Sequence, residues 1–208
     1  MIFIDRRDAG RQLASKLIKF RNSDVVILAL PRGGVVIGKE VADKLNAPLG
    51  LVMVRKIGHP YYNEYAIGAV AENAEPTYNL NEAAILDSKW LKKAETDARS
   101  LIERRRQLYY NNDFTPPSIK HKLVILVDDG MATGLTMRAA VNAIKQNKPK
   151  RIIVAIPVAP YDSINAIKKE VDEVISLDDP NNFLGAVGAH YQSFPQVSDE
   201  EVKAILRS

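Results

Sequence analysis

Two adjacent carboxylates and a small-residue loop carrying two hydroxyls form the most chemically capable run of the chain, Asp128-Asp129-Gly130-Met131-Ala132-Thr133-Gly134-Leu135-Thr136. Before it, Leu123 to Val127 are five apolar residues in a row, the pattern of a strand covered on both faces in a parallel α/β sheet. After it, Met137, Ala140, Val141 and Ile144 recur at helical spacing on one face, which predicts an amphipathic helix. The loop therefore belongs where a strand's carboxyl end meets a helix's amino end. There, backbone N–H groups lack partners and the helix dipole favours an anion. Small residues let a phosphate approach the backbone, and Thr133 and Thr136 add hydroxyl donors. The carboxylates have the wrong charge for that phosphate; they suit sugar hydroxyls or a divalent cation beside it. The combination fits a phosphorylated sugar.

A second constellation follows another apolar run. Val25 to Leu30 reads as a buried strand and leads into Pro31-Arg32-Gly33-Gly34. In a parallel sheet this turn lies on the same rim as Asp128. Arg32 offers a forked cation for phosphate oxygens, and the two glycines expose backbone N–H groups. Arg55 and Lys56 end the next predicted strand on that rim. The loop beyond them holds His59, Tyr61, Tyr62 and Glu64; Glu64 can position or deprotonate a substrate, whereas His59, before a proline, reads as a surface residue. Arg104-Arg105-Arg106 reads as the solvated face of a long helix. Gly33 to Lys39 also fits G-x-x-x-x-G-K after a strand, so a P-loop NTPase is a rival. Against it, Glu40 stands where a P-loop needs a Ser or Thr hydroxyl for Mg²⁺.

The elements that must hold these residues alternate. A strand at Val25–Leu30, a helix at Val35–Leu45 and a strand at Leu49–Val54 make a βαβ unit. Ile57–Tyr65 is punctuated by Gly58 and Pro60 and reads as a loop. Ala66–Ala71 and Thr77–Leu80 are short strands of a hairpin, and a helical stretch of one helix or two, capped by Asn81, reaches about Tyr110. Asn111–Pro117 is a turn-rich connector. A strand at Ile152–Pro157, a helix at Tyr161–Lys169 and a strand at Glu173–Leu177 follow the Leu123 unit. The aromatic segment Phe183–Phe194, with His190 and Tyr191, and a helix from Ser198 complete the tail. This order predicts an open parallel sheet of about five strands with helices on both faces, plus a small hood or lid region. Ligands of such sheets bind at the strands' carboxyl ends.

The chain as a whole narrows the classes further. Its 208 residues suit one domain, with a core at about 20–57 and 120–178, an insertion at about 57–118 and a tail at about 178–208. No apolar run reaches the roughly 18 residues of a membrane span, and Met1 to Asp8 mixes acids and bases where a signal peptide needs apolar residues. With no cysteine there is no disulfide and no thiolate chemistry, and a cytoplasmic protein is expected. A net charge of +4 favours anionic ligands. It is too small, and lacks the aromatic interleaving, to argue for nucleic acid. Neither nucleic acid nor membrane is an expected partner, and a homodimer is left open.

The run from Leu123 to Thr136 resembles the PRPP-binding signature of type I phosphoribosyltransferases: apolar residues, two acids, then a short loop ending in Thr-Gly-x-Thr. Pro31 to Gly34 is similar to that family's pyrophosphate loop. The resemblance implies an enzyme that binds PRPP as its Mg²⁺ complex and transfers the phosphoribosyl group to a nitrogen acceptor, a nucleobase, releasing pyrophosphate. Ala132, Thr133, Gly134, Leu135 and Thr136 would hold the 5′-phosphate. Asp128 and Asp129 would take the ribose hydroxyls, with the metal near them. Arg32, Gly33, Gly34, Arg55 and Lys56 would hold pyrophosphate, and Ile57–Glu64 would be a mobile lid. The tail would supply a hood, although an aromatic cluster there is equally well explained as core packing. A PRPP-binding regulator without catalysis is the alternative.

Overall fold

In the computed structural model the described residues are 1–110 and 115–208, and of Asn63 and Glu64 only the backbone is described. The chain opens on α1 (Arg6–Lys16), followed by β1 (Val25–Ala29), α2 (Gly33–Leu45) and β2 (Leu49–Leu51). Three antiparallel strands come next, β3 (Val54–His59), β4 (Tyr62–Ala71) and β5 (Thr77–Tyr78), and lead through α3 (Leu80–Ala83) into α4 (Ser88–Tyr109). Alternation then resumes with β6 (Leu123–Val127), α5 (Leu135–Gln146), β7 (Arg151–Ile156), α6 (Tyr161–Lys168), β8 (Glu173–Ser176) and α7 (Asp199–Arg207).

The predicted five-stranded parallel sheet is present, in the order β2-β1-β6-β7-β8. Its register places the chemistry. Ala29 pairs with Val127, so Leu30 and Asp128 leave the sheet side by side, joined by the Leu30 N–H donating to the Val127 carbonyl at 3.1 Å. Both rim loops therefore start at one level.

Alternate residues of each strand feed opposite layers. Ile27, Ile125 and Ile153 pack with Leu13, Leu17, Ile37 and Val41 of the α1–α2 side. Val26, Leu28, Val124, Leu126 and Val154 pack with Met137, Val141, Ile144, Ile164 and Ile167 of the α5–α6 side. Full burial of such aliphatic side chains contributes about 1.5–3 kcal/mol each before chain entropy is set against it.

Four features depart from the sequence expectation. The apolar run Leu49–Val54 is not one strand: Val52 still donates to the Ala29 carbonyl, but Met53 already accepts from Glu72. The chain changes sheets there, and a continuous apolar run gives no sign of a change of partner. Ile57–Tyr65 is not a loop; it is the closed end of the β3–β4 hairpin, with His59 opposite Tyr62. The hairpin is held from both sides, by Ala66, Ala69 and Ala71 against Leu135, Ala139 and Ala143 of α5, and by Ile57, Ile67 and Val70 near Ala98 and Ile102 of α4. The helical stretch is divided into two helices, one of the two expected forms, but its first cap is Asn79 of α3 and not Asn81, with Asp87 capping α4. Finally, α1 has no counterpart in the sequence expectation. Its apolar stripe is thin, because Gly10 lies against α2: a Cβ there would meet Glu40 and the Ile37 backbone at 2.9–3.3 Å.

Candidate functional site

At the carboxyl rim of the sheet lies a polar cleft of about 580 Å³, large enough for a phosphorylated sugar. Four segments wall it: Leu30–Gly33, the β3 residues Val54–Lys56 with Gly58, the run Asp128–Gly134 with Thr136, and Val187 with Phe194 from the tail; Arg105 of α4 completes the lining. The topology thus gathers nearly all the singled-out residues into one place.

The two acids form the floor. Burial is the main cause that raises the Asp128 carboxyl well above the usual carboxylate range, and the Asp129 charge adds to it. Asp129 is raised less, because Arg6 opposes the burial effect. Arg6 Nε donates to Asp129 Oδ2 at 2.7 Å, and Arg6 is a residue that the motif reading overlooked. The Lys56 charge acts on both acids in the same direction as Arg6. Among the described residues no group of three metal-ligating side chains is assembled.

The glycine pair is pressed against this floor. A Cβ on Gly33 would lie 1.9 Å from Asp129 Oδ2, and one on Gly34 would lie 2.9 Å from Asp128 Oδ1 and 3.0 Å from its Cα. Glycine is therefore required by close approach to the acids. α2 starts at Gly33, so the first-turn N–H groups stand on the same rim. The Pro31–Arg32 peptide is cis. Arg32 lies 3.9 Å from Asp199 of α7, whose carboxylate also accepts the Tyr109 hydroxyl.

Across the acids, the second loop is open. Gly134 caps α5 with φ 78°, a left-handed conformation suited to glycine. The N–H groups of Ala132 to Thr136 have no hydrogen-bond partner among the described residues. The Ala132 carbonyl accepts from Ser163 and the Met131 N–H donates to Val158, which fixes the loop from behind. Ala132 and Thr133 are exposed, whereas Leu135 turns its side chain into the hairpin contact. Leu135 can thus offer the cleft its N–H alone.

Cations face these groups from the hairpin and α4. Arg55 and Lys56 are not at a rim strand's end; they sit within β3, opposite Val70 and Ala69. They nevertheless reach the cleft, because the hairpin folds over the rim. Arg105, expected on a solvated helix face, joins them there. No carboxylate lies within 4 Å of Arg55, Lys56 or Arg105 among the described residues. Only the pattern R-R-R hinted at Arg105, and it could not say which arginine turns inward.

Other singled-out residues are elsewhere. Glu64 lies in β4, and its side chain falls outside the described residues. Lys39 is within α2 and pairs with Asp43 at 2.9 Å, so no P-loop forms. His190 is fully buried, its Nε2 accepting from Leu184 N and its Nδ1 3.1 Å from the Met1 carbonyl. The tail aromatics are packed. Arg6 lies 3.7 Å over the Phe194 ring and Tyr191 stacks on it at 4.7 Å. Phe194 is thus engaged by side chains of its own chain while it also lines the cleft.

Comparison with known proteins agrees with this geometry. The family model of the phosphoribosyl transferase domain matches residues 5–193. A Mycobacterium tuberculosis protein named provisionally for that family is 37% identical over 207 residues, 99% of this chain and 46% of the relative. The chain spans about half the length of the curated relatives it matches. A crystal structure of TT1426 from Thermus thermophilus is 39% identical and superposes with a TM-score of 0.79, covering 100% of this chain and 98% of that one. The AQ2163 protein from Aquifex aeolicus shares the fold alone, at 14% identity and a TM-score of 0.52 over 83% of this chain and 73% of that one.

Proposed function

The chain belongs to the phosphoribosyl transferase family, and we propose that it transfers the 5-phosphoribosyl group of PRPP to a nitrogen acceptor, a nucleobase, with release of pyrophosphate. The observation that carries this reading is one cleft joining an acid pair to a loop whose five successive N–H groups are unpartnered among the described residues. The 5′-phosphate sits on Ala132, Thr133, Gly134, Leu135 and Thr136, received by backbone N–H groups, two hydroxyls and the α5 dipole. Asp128 and Asp129 accept hydrogen bonds from the ribose hydroxyls. Arg32, Gly33, Gly34, Arg55 and Lys56 hold pyrophosphate, and Arg105 is added to that set.

In the reaction the bond from C1 to the pyrophosphate oxygen breaks and its electron pair leaves with pyrophosphate, while an acceptor nitrogen forms a bond to C1 and gives up a proton. Positive charge on the sugar in the transition state is stabilised by the acid pair. Glu64 is the candidate acceptor of the proton. Placement and exclusion of water by the overhanging hairpin supply the remaining catalysis.

The acid pair also fits Mg²⁺. Burial disfavours the ionisation of both carboxylates, and the Asp129 charge adds to this at Asp128, so the pair gains from a bound cation. Asp128 and Asp129 would stand beside the ion, which when bound neutralises charge on the leaving pyrophosphate. The test is a pyrophosphate-release assay with Mg-PRPP and a panel of purine and pyrimidine bases. Turnover with at least one base is expected. Saturable PRPP binding without turnover would instead identify a PRPP-binding regulator, and no binding at all would refute the reading.

A further inference from the structure

Arg6 approaches the acid pair from outside the cleft. It is absent from the cleft lining and instead lines a separate groove between α1, the tail and α7. It meets the cleft through wall residues that it touches, Asp129 by hydrogen bond and Phe194 by stacking. Its guanidinium makes three contacts at once: Nε to Asp129 Oδ2 at 2.7 Å, Nη1 to the Pro195 carbonyl at 2.6 Å, and its plane over the Phe194 ring at 3.7 Å. The same tail holds the Asp129 backbone, because the Tyr191 hydroxyl donates to the Asp129 carbonyl at 2.6 Å. Arg6 is 9% exposed, and among the described residues it is the cation within 4 Å of either acid.

We propose that Arg6 is a positioning residue, which fixes the Asp129 carboxylate for the sugar hydroxyls and locks it to the tail that walls the cleft. This rests on the transferase reading above, since it takes Asp129 as a hydroxyl acceptor. Three features argue for the role. A carboxylate can accept hydrogen bonds from a sugar productively only if it does not rotate or swing away, and the Nε bond holds one oxygen while leaving the other for ligand. The planar fork donates to Asp129 and Pro195 in a fixed geometry while its face lies on Phe194, a combination that a lysine ammonium does not reproduce. Gly33 closes the remaining space: a Cβ there would meet Asp129 Oδ2 at 1.9 Å and Arg6 Nε at 2.9 Å. Helix α1, the turn into α2, the end of β6 and the tail thus converge on one ion pair.

The test measures hydroxyl recognition by equilibrium binding and needs no turnover. Ribose 5-phosphate, 2-deoxyribose 5-phosphate, 3-deoxyribose 5-phosphate and inorganic phosphate are titrated into the wild-type chain and into Arg6→Gln, Arg6→Lys and Phe194→Leu variants. The wild type should prefer ribose 5-phosphate over at least one deoxy sugar by about tenfold, the size expected for a hydrogen bond to a charged group. Arg6→Gln should abolish that preference while leaving the affinity for inorganic phosphate unchanged. Arg6→Lys should restore part of it, and Phe194→Leu, which keeps the ion pair but removes the stack, should lower it less. A purely structural role would reduce the folded fraction and weaken all four probes together. Arg6→Gln that keeps the full preference overturns the proposal. If Arg6→Gln does not fold, a full preference in Arg6→Lys together with Phe194→Leu does so. Failure of the wild type to bind ribose 5-phosphate at all would overturn the transferase reading itself, and the role of Arg6 with it.

Discussion

The two rim loops stand at the same level of one sheet and both need glycine, yet for opposite reasons. In the β1–α2 turn, Gly33 and Gly34 are required by space, since any Cβ would strike the acid pair. In the β6–α5 loop, Gly134 is required by backbone conformation: its φ is 78°, and a Cβ would meet nothing closer than Met131 Sδ at 3.3 Å. One loop is closed down onto the carboxylates. The other is held open, its N–H groups without partners among the described residues. Equivalent positions in a parallel sheet can therefore be specialised by how tightly each is packed against its neighbour, and glycine marks both.

The largest effect should come from the floor that the two loops share. Asp128→Asn with Asp129→Asn is expected to lower turnover on the order of a thousandfold, the scale of losing preorganised electrostatic stabilisation, with the far-UV spectrum unchanged. Steady-state kinetics with Mg-PRPP checks it, and unimpaired turnover would remove the acids from the mechanism. Next comes the closed loop. Gly33→Ala must displace Asp129 or the turn, and a shift of about 1 Å should reduce turnover on the order of a hundredfold. An alanine variant with normal kinetics would show that the close approach has no functional weight.

The open loop should respond through stability instead. Gly134→Ala forces a left-handed alanine at a cost of about 1–2 kcal/mol, lowering the denaturant midpoint, while phosphate affinity falls modestly because the N–H groups remain. If that substitution abolished phosphate binding without any loss of stability, the contrast between the two loops would be reversed.

The smallest effect is on pH dependence. Asp128 is raised in the fold, so the folded state holds its proton at pH values where the unfolded chain has lost it. Its contribution to stability is present below the unfolded pKa, near 3.9, and is lost as pH rises through the folded pKa. Asp128→Asn should therefore stabilise the protein at pH 8, with the gain shrinking towards pH 4; thermal melts at both values decide it. An equal gain at both would attribute the effect to something other than ionisation.

The sheet and both rim loops were legible because buried parallel strands read as continuous apolar runs and because glycines and acids at strand ends are few. What stayed hidden depended on long-range contacts. Arg6 and Asp129 are 123 residues apart, and one of three arginines in a polar helix carries no local sign of its partner. Arg105 was unreadable for a related reason, since helix orientation against the hairpin selects it from three consecutive arginines. The segment Ile57–Tyr65 misled because it forms an exposed hairpin end, where Tyr61 is 83% exposed and lies tilted against the His59 ring instead of a core. Gly58 and Pro60 there punctuate a hairpin, not an irregular loop. The tail aromatics suited ligand stacking and core packing equally in the sequence, and contacts with distant Arg6 and nearby Tyr191 put Phe194 in packing.

A crystal structure of the protein with Mg-PRPP is the most direct test of the account. It should place the 5′-phosphate within hydrogen-bond distance of the N–H groups between Ala132 and Thr136, the ribose hydroxyls on Asp128 and Asp129, and the pyrophosphate among Arg32, Arg55, Lys56 and Arg105. Phosphate bound elsewhere, with those N–H groups turned into the protein, would contradict it.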